Sequence, residues 1–176
     1  MINKSLLTAL SAVALTVLCW GCGDEPAPKD VSQVDVNYSI EISADLVNVL
    51  NMKIQYVGDE GEQKTVSDVG TKFSQSAKFT KFPAAFGMKL LVLSVNESAL
   101  TKDSYTLRLT YTVSAVSYDN EGAVVQNCPQ VDGGIFSTVV TADKIKSVLE
   151  KDVENGEYFS TSNSIDKKGK IIVSAY

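Results

Sequence analysis

Histidine, the commonest general base of hydrolytic sites, is absent from all 176 residues. That one absence removes Ser-His-Asp and Cys-His nucleophilic pairs, histidine-ligated zinc or copper, and any imidazole pH switch. Three thiols remain, Cys19, Cys22 and Cys128. Cys128, followed by Pro129, has no imidazole to lower its pKa and reads as a small buried or loop cysteine. The 21 acidic residues could supply a carboxylate pair for glycoside hydrolysis, but they gather at turns and strand exteriors, where solvation accounts for them. Asp119, Asn120 and Glu121 bunch oxygen atoms suited to calcium; they lack EF-hand spacing and a third carboxylate. Phosphate-cradling glycine loops are missing as well. The expectation is a chain without catalytic residues, cofactor or metal.

Residues able to hold a ligand are easier to find. Tyr118 stands on the polar side of its strand beside the Asp119 turn, where an aromatic face flanked by polar groups suits a sugar. Asn127, Gln130 and Asp132 lie in the segment Asn127 to Gly134, whose Pro129, Gly133 and Gly134 are expected to break a strand into an irregular, specificity-bearing loop or a bulge. Arg108 is the sole arginine, so no multi-arginine clamp for carboxylate or phosphate can be built.

The N-terminus carries the strongest pattern. Lys4 precedes the apolar run Leu6 to Leu18, thirteen residues and too short to cross a hydrocarbon core of about 30 Å as a helix. It reads as the apolar part of an export signal over residues 1–21. Cys22 follows the small Gly21, as lipoprotein processing requires, and becomes the acylation site. Ordinary cleavage near Gly21 or Gly23, giving a free periplasmic or secreted protein, is the alternative. Residues 22–33, with Pro26, Pro28 and almost no apolar content, form a tether able to reach about 30 Å from the lipid.

This arrangement, with Asp24 and Glu25 just behind Cys22, resembles the surface-exported lipoproteins of Bacteroidetes-type bacteria. Residues 31–125 share the texture of the small immunoglobulin-like β-sandwich lipoproteins of that group. The resemblance implies an outer-membrane protein facing the cell surface, or alternatively the periplasm. It implies no catalytic residues.

With the signal removed, Lys4 leaves too, and 15 basic residues face 21 acidic ones. An acidic chain argues against nucleic acid and anionic membrane surfaces as partners. A single domain over 34–176 is expected. Val34, Val36, Tyr38, Ile40 and Ile42 alternate with polar residues, as do Leu50 to Tyr56 and, over the longest stretch, Tyr105 to Ala115. Phe73 to Phe82 reads as one strand. Met88 to Val95, apolar on both faces, reads as a central strand covered on both sides. Gly58-Asp59-Glu60-Gly61, Asp119-Asn120-Glu121-Gly122 and Asp166-Lys167-Lys168-Gly169 read as hairpin turns. Tyr158 to Ser162 would pair with Lys170 to Tyr176 across the last of them.

A helix is expected over Ala142 to Val153, capped by Thr141 and stopped at Asn155-Gly156. The fold class is all-β, an antiparallel β-sandwich of immunoglobulin-like architecture with one short C-terminal helix. The functional expectation is a non-catalytic lipid-anchored envelope protein that binds a glycan or protein ligand. The alternative is an assembly subunit of an envelope complex or pilus-like structure that offers a sheet edge, with Ile171 to Val173 as a candidate strand.

Overall fold

The computed structural model describes residues 29–173; Cys22, the signal and most of the tether lie outside them. Strict alternation sets the first strand. β1 (Gln33–Ile42) buries Val34, Val36, Tyr38, Ile40 and Ile42 and turns Asn37, Ser39 and Glu41 to solvent. Ser43 then caps α1 (Ala44–Val49) by accepting the Leu46 N–H on its hydroxyl, and the helix seals a corner with Leu46 and Val49. β2 (Leu50–Val57), β3 (Gln63–Val66), β4 (Lys72–Phe79), β5 (Ala84–Phe86) and β6 (Met88–Val95) follow. The long pair β7 (Ser104–Tyr118) and β8 (Val124–Thr141) leads to α2 (Ala142–Asn155), then β9 (Glu157–Ser160), β10 (Asn163–Ile165) and β11 (Ile171–Val173).

Every pairing is antiparallel. One sheet runs β4-β1-β7-β8, a second β3-β2-β6-β9, and a small third β11-β10-β5. The two four-stranded sheets face each other through aromatic rings, giving an all-β sandwich. Tyr38 meets Tyr56 edge-on at 5.6 Å, and Tyr111 stacks flat on Phe159 at 3.9 Å. The Tyr38 hydroxyl reaches across the core and donates to the Val57 carbonyl at 2.8 Å.

Two of the expected turns share one device. Asp119 Oδ1 accepts the N–H groups of Glu121 and Ala123, Asp166 Oδ1 accepts those of Lys168 and Lys170, and Gly122 and Gly169 close the turns at φ 81° and 79°. Asp59 departs from the pattern. Its carboxylate leaves its own turn and accepts the Lys78 N–H, tying the β2–β3 connection to β4 in the other sheet.

Several expectations are corrected. Of the two expectations for Asn127 to Gly134, the bulge holds and the loop does not: β8 runs through the segment, and only Pro129, Gln130 and Val131 leave the ladder, between the pairs Ala115↔Cys128 and Val113↔Asp132. β8 is the last strand of its sheet, and an edge tolerates a proline inside a bulge. Gly134 is needed because a Cβ there would stand 2.8 Å from the Tyr111 ring. The aromatic strand stops at Phe79, short of Phe82.

β9 takes residues 157–160 to β6, leaving β10 as the partner of β11 across the Asp166 turn. β6 is central as expected, yet one face opens to solvent toward its end, where Leu93 is 45% exposed. Thr141 precedes α2 without capping its backbone; its hydroxyl donates to Asp143. The two residues ahead of β1 also bond to the sandwich. Val31 is buried, its N–H bonds to the Lys167 carbonyl, and Ser32 N–H bonds to the Tyr118 carbonyl.

Candidate functional site

Alternation gives the first sheet a core face and an outer face. On β7 the even-numbered residues Thr110, Thr112, Ser114, Val116 and Tyr118 face outward. Asp35, Asn37 and Ser39 lie beside them on β1, and Ser74 and Ser76 on β4. The outcome is a face of hydroxyls around Asn37, with Val116, Asp35 and Lys78 among them and Tyr118 at one end.

Strand register decides which predicted site residues meet. Asn127 pairs with Val116, two residues from Tyr118 on the same outer face, so Tyr118 and Asn127 are diagonal neighbours across a one-residue bulge at Val125. Neither the Tyr118 hydroxyl nor the Asn127 amide has a hydrogen-bond partner among the described residues. Gln130 is exposed on the bulge, its side chain folded back over Gly133. Asp132 goes elsewhere. It pairs with Val113, a core-facing position, and its carboxylate accepts the Gly133 N–H at 2.7 Å. There it also faces Tyr111, whose hydroxyl pKa is raised first by burial and then by the Asp132 charge. The structure therefore brings Tyr118 and Asn127 together and separates Asp132 from them.

The turn next to Tyr118 is firmly held. Lys29 Nζ lies 2.9 Å from both Asp119 Oδ2 and Glu121 Oε2, and the Asp119 side chain is 1% exposed. Lys29, helped by the two turn N–H groups, holds the Asp119 carboxyl below the usual carboxylate range. A carboxyl with a depressed folded pKa adds stability above its unfolded pKa of about 3.9 and loses it as pH falls through the folded value. Urea titrations should therefore find the wild type gaining stability over Asp119→Asn as pH rises through the depressed folded value, with the full gain present above about pH 4 and the two closest at the acidic end. Parallel pH profiles would contradict that role.

Two cavities lie apart from this face. One of about 260 Å³ is lined by Asp45, Asn96, Lys102 and Tyr105, where Lys102 Nζ pairs with Asp45 and the Thr106 N–H donates to the same carboxylate. The other, about 380 Å³, is lined by Tyr56, Gly87 and Thr161, and the Thr161 hydroxyl is bonded to the Met88 backbone. Asp45, Asn96, Lys102, Tyr105 and Thr161 are thus engaged in bonds that tie neighbouring segments together. A pair that sequence reading missed joins α2 to β9: the Tyr158 hydroxyl donates to Asp152 Oδ2. Burial raises the Asp152 pKa against the opposing effect of that bond. Their spacing of six residues across a helix end matches no motif, so nothing in the sequence signals it. No family model and no curated protein matches this chain.

Proposed function

We propose that this protein is a non-catalytic, lipid-anchored cell-envelope module that holds a glycan or protein ligand on the outer face of its first sheet. The observation that carries the reading is the diagonal placement of Tyr118 and Asn127, whose side-chain polar groups have no hydrogen-bond partner among the described residues, on a hydroxyl-bearing face. An aromatic ring beside an amide and hydroxyls is the chemistry that recognises a sugar or a polar peptide surface. Cys22 behind Gly21, followed by an acidic, proline-bearing tether, supports acylation and an outer-membrane position.

Cys22→Ala is expected to move the protein from the membrane fraction to the soluble fraction and to abolish palmitate labelling. Equal labelling of both forms would overturn the anchor. For the non-catalytic part, purified protein is incubated with glycoside and peptide substrates, and no turnover is expected. Turnover abolished by one Asp or Glu substitution that leaves the fold intact would overturn it.

A further inference from the structure

We infer that the free edge of β8 is a self-association surface, on which a second copy of this chain docks by antiparallel pairing centred on Ser137. The backbone phase on β7 fixes what that edge presents. Ser43 N–H bonds to the Arg108 carbonyl and Ser32 N–H to the Tyr118 carbonyl, so even-numbered residues of β7 direct their backbone groups toward β1. Odd-numbered residues then bond to β8, consistent with Ala142 N–H on the Asp103 carbonyl. On β8 their partners are Phe136, Thr138 and Val140, opposite Leu109, Leu107 and Tyr105. Ile135, Ser137 and Val139 are left with N–H and C=O directed out of the sheet at its last strand. Their side chains lie on the outer face, Ile135 at 73% and Val139 at 68% exposure.

Two features select a second copy as the occupant. The first is charge. From Gly133 to Thr141 this edge carries no charged residue, whereas β4 carries Lys72 and Lys78, β3 carries Lys64, and β9 and β11 span only four and three residues. Lysines and short length are the usual protections of a sheet edge, and β8 has neither. The second is self-complementarity. A two-fold axis through Ser137 pairs Ile135 of one copy with Val139 of the other, twice, and Ser137 with itself. All three positions are outward-directed on both strands, so the register satisfies hydrogen bonding and buries both exposed aliphatic side chains as cross-strand pairs. The outer faces of the two sheets then continue into one another, and the inference extends beyond the single-copy reading above.

Sedimentation velocity of the purified protein from about 1 to 200 µM is expected to show a monomer–dimer equilibrium, shifted at least tenfold toward monomer by Ile135→Lys and by Val139→Lys. Monomer throughout, or a dimer indifferent to both lysines, would overturn the inference. Amide exchange on the unmodified chain guards against misfolded variants. Protection of Ile135, Ser137 and Val139 should rise with concentration while that of Phe136 and Thr138 stays constant; no change at the three odd positions would overturn it. A monomer that still retains a ligand would leave the binding reading standing while removing this one.

Discussion

Leu109→Ala is expected to lower the unfolding free energy by about 2–5 kcal/mol, a large fraction of the total for a domain of this size. Leu109 is 2% exposed on the core face of β7, the strand between β1 and β8. Its removal costs the transfer free energy of the lost carbons and leaves a cavity that three rigid strands cannot collapse to fill. Urea melts of wild type and variant, analysed with a common m-value, measure the difference. A loss below about 1 kcal/mol would mean that the facing sheets are not packed at Leu109 as described.

Gly87→Ala should be at least as damaging, for a different reason. A Cβ at Gly87 would stand 2.1 Å from the Thr161 carbonyl oxygen and 3.3 Å from Ser162 Cα, both backbone atoms without a rotamer to change. Nor can Thr161 retreat, since its N–H donates to the Met88 carbonyl and its hydroxyl accepts the Met88 N–H. The Gly87 carbonyl in turn accepts the Val57 N–H at 3.0 Å. Accommodating one methyl group would separate β9 from β6, at a cost of about 3 kcal/mol or more. Gly70→Ala is the control. A Cβ there meets nothing within 4 Å, and its stability should stay within about 1 kcal/mol of wild type, with a small gain permitted by the stiffer unfolded chain. Equal effects at the two glycines would contradict the close approach at Gly87.

Strands with one buried face were legible before any coordinates, because a period of two is written directly in β1, β2 and β7. The capping aspartates at 119 and 166 were legible for a similar reason: the contact is local and its geometry fixed. Pairings that join distant segments were not. Residues 158–162 and 170–176 looked like hairpin arms, yet β9 pairs with β6 across some seventy residues in a register of only three positions. In β8 the composition left two readings open. Pro129 and two glycines suit a loop as well as a bulge, and the structure has the bulge: two inserted residues on an edge strand absorb the proline, and Gly134 makes room for the Tyr111 ring.

Two bulges explain the fate of the candidate ligand residues. One extra residue at Val125, between the pairs Tyr118↔Val124 and Ser117↔Gln126, puts Asn127 opposite the outward Val116, whereas the two residues inserted after Cys128 preserve alternation and leave Asp132 on the core face. Periodicity alone, run on from the Tyr118↔Val124 pair, would have set Asn127 opposite Ala115 on the core face; the bulge at Val125 moves it to the outer face. Nor could periodicity show that Lys29, assigned to the tether, would clamp the Asp119 turn beside them.

The central claim is that Tyr118 and Asn127 together hold a ligand, and it is tested most directly on an array of immobilised glycans and envelope-protein fractions. The purified wild-type protein is compared with Tyr118→Ala/Asn127→Ala and with Asp132→Ala, each first checked for an unchanged melting temperature. Retention of at least one class of ligand by the wild type and by Asp132→Ala, weakened tenfold or more in the double variant, is the predicted result. Retention that survives the double substitution, or that fails only when Asp132 is replaced, would contradict it.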